Sequence, residues 1–213
     1  MAGLALRNDE HFTWADYRSW DDNERWELIG GEAFNMTPAP LTRHQRVSME
    51  LSALMERFFK GRKCMPFAAP TDVRLSDVDV VQPDIFVVCN PAQVKPTHIE
   101  GPPTLVAEIL SPSSVVHDHV RKFQLYARCG VQEYWIVTPY PALIEVYVLD
   151  GDHFRLAAGY EKDDTLRSPT FPELEMPLAD VFDFPLEPGE EIMVIKEARA
   201  PYLPGPRATP TED

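Results

Sequence analysis

The sequence predicts a single α/β domain in which helices flank a mixed β-sheet, with one further helix and a hairpin placed before it. Three observations carry this. A long helical period runs over residues 42–60; mostly apolar strand-like runs follow at 80–88, 104–110 and 133–137; and a short helix falls between the last two. A strand, a helix and a strand with no long insert between Leu110 and Glu133 predict a right-handed crossover in a mixed sheet. The chain has 213 residues and a hydrophobic fraction of 44%, ample for one two-layer core and short for two large domains.

In chain order, Thr13 followed by Asp16 marks a helix start whose apolar face is Trp14, Tyr17 and Trp20, and Asp21-Asp22-Asn23 ends it. The run Trp26-Glu27-Leu28-Ile29-Gly30-Gly31-Glu32-Ala33-Phe34 predicts a hairpin turning at the two glycines. Pro38-Ala39-Pro40 is a connector to the 42–60 helix. There Val47, Leu51, Leu54 and Phe58 recur at the helical period, Met55 and Phe59 widen the stripe, and Gly61 closes it. Pro66 and Pro70 make 64–75 at best a bent strand, and the prolines of 90–103 predict a loop. After strand 104–110, a helix over 118–128 is expected with Asp118 as N-cap and Gly130 just beyond. Strand 133–137 and a hairpin of 143–149 with a partner starting near Phe154 follow, turning at Asp150-Gly151. Past Thr165 the chain is Pro-rich and acidic, anchored at Leu174, Leu178, Val181 and Phe182. The domain is expected to span 1–197, with 198–213 as a mobile tail.

Composition excludes several function classes. No apolar run approaches the roughly 20 residues of a membrane helix, and the first dozen residues lack the apolar core of a signal peptide. Cys64, Cys89 and Cys129 are odd in number and widely spaced, so neither a zinc site nor a disulfide framework is expected, and the cytoplasm is the expected compartment. A formal net charge of −14 argues against coating nucleic acid through a broad basic surface and allows only basic groups local to a cleft.

The informative residues are Asp84 and Glu108, each set in an otherwise apolar run where a carboxylate is rare unless paired or bound to metal. Two carboxylates on neighbouring strands make an oxygen-rich site suited to Mg²⁺ or Mn²⁺. Lys122 follows on the next helix, with Asp118 and Tyr126 four residues to either side, so the three share a face. A lysine there supplies a point charge for phosphoester cleavage; the plain alternative is a surface Asp118–Lys122 pair worth a few tenths of a kcal/mol.

Pro83-Asp84 on one strand and Glu108 on the next resemble the PD…(D/E)XK arrangement of restriction endonuclease-like enzymes. The motif's lysine would stand two residues after the acid, where this chain has Leu110, and Lys122 is placed to substitute for it. The chain more closely resembles the Uma2 (DUF820) family of endonucleases. The matching stretches are Trp26–Glu32, Arg43-His44-Gln45-Arg46, Val81-Gln82-Pro83-Asp84, Leu105 through Ser114, Asp118 with Lys122 and Tyr126, and Gly130 through Val137. The resemblance implies a restriction endonuclease-like core, a divalent cation (Mg²⁺ or Mn²⁺) and a homodimer acting on nucleic acid, DNA in the first instance. Carried over by residue, it makes Asp84 and Glu108 metal ligands with the Ile109 carbonyl as a third, and Lys122 the group that orients the attacking water. Glu27 and Glu32 flank the hairpin turn and one of them is expected near the metal; His44 reads first as a surface residue at a helix start, second as a phosphate contact.

Other features read as structure. Ser111-Pro112-Ser113-Ser114 lacks the glycines of a nucleophile elbow, His117 and His119 point apart on a helix start, and Tyr134 and Trp135 are strand core. Against the nuclease stand an inactive nuclease-like scaffold serving as an interaction module, favoured by the charge and by Leu110, and a hydrolase of small phosphoesters. The position of the Lys122 ammonium relative to the acid pair discriminates the first two.

Overall fold

The local signals turn into elements in the order the sequence sets, seen here in a computed structural model describing residues 11–20, 24–36, 41–110 and 116–184, with side chains of the last stretch from 120 onward. All elements lie within the unit 1–183, so the expected tail beyond 197 lies outside the described residues, as do the 21–23 helix end, the 38–40 connector and the Ser111–Ser114 segment.

Helix α1 (Trp14–Tyr17) starts where the Thr13/Asp16 pair predicts, with a full capping box in which each side chain bonds the other's backbone N–H. Strands β1 (Trp26–Ile29) and β2 (Glu32–Asn35) form the hairpin. Its turn requires glycine, since Gly30 and Gly31 sit at φ +61° and +82°. Helix α2 (Thr42–Phe59) buries His44, Val47, Leu51, Met55 and Phe59, a seam spaced by three residues and then by four; Leu54 and Phe58 lie at its edge rather than its centre. Helix α3 (Val116–Cys129) starts two residues earlier than expected, so Asp118 is inside it and is not its N-cap.

The long apolar run 80–88 is two strands. Strand β5 (Val80–Val81) ends before Gln82-Pro83 and strand β6 (Ile85–Val88) begins after Asp84. They belong to different sheets, because Pro83 has no N–H for a ladder and breaks the run. Short strands β3 (Met65–Ala68) and β4 (Val73–Arg74) divide the proline-interrupted stretch in the same way. Strand β7 (Ile99–Glu100) and a 3-10 turn at Pro91–Gln93 give the expected loop more structure than its prolines suggest. Strands β8 (Leu105–Ile109), β9 (Glu133–Thr138), β10 (Leu143–Asp150) and β11 (His153–Glu161) follow as read. The acidic C-terminal stretch holds a small hairpin, β12 (Thr165–Arg167) and β13 (Glu175–Pro177), and helix α4 (Leu178–Val181); its anchors Leu174, Leu178, Val181 and Phe182 are all buried.

The main sheet runs β11-β10-β9-β8-β6-β3, antiparallel except for the parallel pair β8–β9 that α3 connects. Pro66 is tolerated because β3 is the edge strand. The second sheet runs β2-β1-β5-β4-β7. Alternation along β8 sends Val106 to a core shared with α3 residues Leu125 and Tyr126, leaving Leu105, Ala107 and Ile109 for the opposite face, where α2 packs on β3, β6 and β8. Glu108 has the parity of Val106 and so faces α3.

One expectation is overturned here. Cys64 and Cys89 form a disulfide, with Cα atoms 4.0 Å apart. They flank the cross-strand pair Met65↔Val88, and that register, invisible in their 25-residue separation, brings them together. Cys129 is a free thiol.

Candidate active site

The break at Gln82-Pro83-Asp84 opens beside the end of β8, and the polar residues of four elements converge on it. Glu27 of β1, Glu108 of β8, Lys122 of α3 and His44 of α2 are 2%, 8%, 6% and 7% exposed. Such burial of charged groups is rare unless they are paired; here Lys122 pairs with Glu27 and Glu108, and His44 with Asp84.

The centre is a carboxylate–ammonium cluster. Lys122 Nζ lies 2.9 Å from Glu27 Oε1 and 3.3 Å from Glu108 Oε1. The Gln82 backbone N–H donates to the same Glu27 oxygen at 2.9 Å. The Tyr126 hydroxyl, one helical turn beyond Lys122, donates to Glu108 Oε1 at 2.6 Å. Asp84 is fixed from the other side, its Oδ2 accepting the Ile109 N–H at 2.8 Å and facing His44 Nε2 at 3.2 Å. An acceptor facing a carboxylate would repel it, so Nε2 carries a hydrogen, while the buried Nδ1 has no hydrogen-bond partner among the described residues.

The charges do not balance. Glu27 and Glu108 share one ammonium with Asp84 close enough to act on Glu108, and the imbalance shows in Glu108. Burial pushes its carboxyl from 4.5 up to about 8, Asp84 and Glu27 push the same way, and Lys122 and the Tyr126 hydrogen bond oppose them. Burial and the Glu108 charge raise the Tyr126 phenol well above 10, so it is a donor throughout the ordinary pH range. Each ligand candidate has one oxygen engaged, Glu108 Oε1 and Asp84 Oδ2, while Glu108 Oε2 and Asp84 Oδ1 make no hydrogen bond among the described residues. Among the described residues no three His, Cys, Asp or Glu side chains converge into a cage. Two carboxylates, each with one unengaged oxygen, fit Mg²⁺ or Mn²⁺, which keep several waters and bind through one or two carboxylates plus substrate phosphate.

The residues singled out in the sequence are thus largely brought together. Asp84, Glu108, Lys122, Tyr126 and Glu27 meet, and Ile109 joins them through its N–H. Glu32 is exposed at the far side of the hairpin turn, where it pairs with Ile29 rather than with the acids. His44 is corrected: it is a buried partner of Asp84, not a surface residue. The Asp118 side chain lies outside those described. Leu110 packs against the core, and the ammonium beside Glu108 is that of Lys122 on α3.

In the sequence Gln82 figures only within the matching stretch Val81–Asp84, with no role of its own. Beyond its N–H to Glu27, its side chain accepts from Arg25 Nε at 2.8 Å and donates to Asp72 at 2.9 Å, tying the break to the hairpin and to the start of β4. Its one signal was a polar residue next to Pro83 in an apolar run. Asp79 gave none: it accepts from the Gly30 N–H, Arg128 and Ser76, each at 2.8 Å, and so fastens the hairpin turn to the end of α3.

Residues 14–179 match the Uma2 family, described as "Putative restriction endonuclease". The chain belongs to the Uma2 family. Its relatives include an uncharacterized protein, slr1290, of Synechocystis sp. (strain PCC 6803), 29% identical over 157 residues, covering 71% of this chain and 81% of that one. Among solved structures, an Anabaena variabilis protein described as "a putative nuclease belonging to DUF820" superposes with a TM-score of 0.66 at 20% identity, over 80% of this Uma2 chain and 97% of that one. The fold is therefore restriction endonuclease-like, with the Uma2 match spanning every residue of the cluster just described.

Proposed function

We propose that this Uma2 protein is a Mg²⁺- or Mn²⁺-dependent phosphodiesterase acting on nucleic acid, DNA in the first instance. The observation that carries the reading is Lys122, its ammonium buried against Glu108 and Glu27 rather than turned to solvent. A buried ion cluster is seldom the most stable filling of a core, since well-packed apolar residues of similar volume often do as well or better. A cluster with surplus carboxylates is therefore better explained by chemistry than by stability.

In this reading Asp84, Glu108 and the Ile109 carbonyl hold the cation. Once bound, it would polarise the phosphodiester and offset charge developing on phosphorus. The protein's own groups do the rest. Glu27, fixed by the Gln82 N–H, holds Lys122 in place. Lys122 then orients the attacking water beside Glu108. Tyr126 takes one oxygen of Glu108, and Ile109 N–H with His44 takes one of Asp84, so one oxygen of each carboxylate is left for the cation. The resemblance also carries the expectation of a homodimer, which light scattering of the purified protein tests.

The deciding experiment is calorimetric titration with Mn²⁺, wild type beside Asp84→Ala, followed by cleavage assays on plasmid DNA. Binding in wild type that is lost in the variant, with Mn²⁺-dependent cleavage lost in parallel, is the expected result. Equal affinity in both proteins would refute the ligand assignment. Leu110 in place of the motif's lysine favours the second reading, an inactive scaffold used as an interaction module; metal binding without cleavage of any nucleic acid would select it.

A further inference from the structure

We infer that Arg121 binds a phosphate of the strand that the carboxylate centre would cut. The inference rests on the phosphodiesterase reading and adds how an acidic chain would hold a polyanion. Arg121 precedes Lys122 on α3, and its guanidinium carbon lies 4.8 Å from the centroid of the Phe34 ring. Phe34 is the cross-strand partner of Glu27, so Arg121 sits over the strand pair that delivers Glu27 to Lys122.

Arg121 differs from the other cations near the centre. Lys122 is taken by Glu27 and Glu108, Arg128 by Asp79, Arg25 by Gln82, and Arg46 by Glu50. Arg121 is exposed and makes no ion pair or hydrogen bond among the described residues, in a chain where 34 acidic residues face 20 basic ones. Resting on an aromatic ring, a guanidinium is oriented through its π-face while its N–H donors stay in plane and available, a fork that matches two phosphate oxygens. Arg43 is a companion on the opposite face of the sheet. It precedes His44, the partner of Asp84, and its guanidinium carbon lies 5.7 Å from the Tyr140 ring centroid. Arg121 is one residue from Lys122 and Arg43 one residue from His44, in a chain whose net charge is −14. Phosphate contact through a few placed cations needs no broad basic surface.

The plain alternative is that Arg121 only shields the Phe34 ring with its methylenes. Two variants separate these roles: Arg121→Leu keeps the apolar cover and removes the charge, and Arg121→Lys keeps the charge. Binding of a short fluorescent DNA duplex, followed by anisotropy across a salt series with Ca²⁺ as the divalent cation, is the measurement. The expected result is binding about tenfold weaker for Arg121→Leu, with a slope of log K against log salt smaller by about 0.9, and a wild-type slope for Arg121→Lys. An unchanged slope in Arg121→Leu, with wild type binding, overturns the Arg121 assignment and leaves the phosphodiesterase reading standing. No binding by wild type overturns both.

Discussion

At the residue scale, the decisive fact is that Lys122 serves two buried acids at once. Replacing it with Met leaves Glu27 and Glu108 without their cation, and the expected loss is about 3–5 kcal/mol in urea denaturation. A loss below about 1 kcal/mol would mean the cluster behaves like a solvated surface pair. Glu108 sets a pH dependence. Its folded carboxyl titrates at about 8 against 4.5 when unfolded, so between those values the folded state holds a proton the unfolded state has lost. The stability from this group is fully present below 4.5 and is lost as pH rises through 8. In metal-free protein, Glu108→Gln should therefore flatten the fall in melting temperature between mildly acidic and mildly alkaline buffer; a parallel curve would contradict the burial of this charge. Mn²⁺ binding near neutral pH should also release a proton from Glu108, seen as a calorimetric enthalpy that changes with the ionisation heat of the buffer. Asp84, Glu108 and Lys122 stand out in the sequence because each interrupts an apolar setting or extends it with a charge. Gln82 and His44 do not, since a polar residue beside a proline and a histidine in the first turn of a helix are ordinary on a surface.

At the element scale, the site depends on how the β1–β2 hairpin and α3 are held together, because Glu27 rides on one and Lys122 on the other. Asp79 provides that tie through the Gly30 N–H and Arg128. Asp79→Ala is expected to cost about 3 kcal/mol and to raise amide hydrogen exchange selectively in the hairpin. Exchange that rises evenly across the main sheet instead would show that Asp79 has no particular hold on it. Helix α2 and the Gly30-Gly31 hairpin were legible because helical period and positive-φ glycine are local properties. The division of 80–88 into β5 and β6 was not, since apolar strands of both sheets look alike and the break is defined by which neighbours they pair with. Strand β7 is not legible for the same reason: it is two residues long and is defined by its pairing with β4 and the bridge of Ile99 to Val94.

At the scale of the whole molecule, the −14 charge acts on stability as well as on partners. Self-repulsion should be relieved by screening, so added NaCl is expected to raise the melting temperature of the metal-free protein, and a fall would show that attractive ion pairs outweigh the net repulsion. The sequence by itself determined the fold class and the order of the main elements, and it singled out Asp84, Glu108 and Lys122, because periodicity, breakers and misplaced charges are written along the chain. Only the tertiary structure decided that Glu27 and not Glu32 reaches the centre, that His44 backs Asp84, and that Cys64 meets Cys89. Each of those depends on strand register or helix rotation, and a shift of one residue sends a side chain to the opposite face.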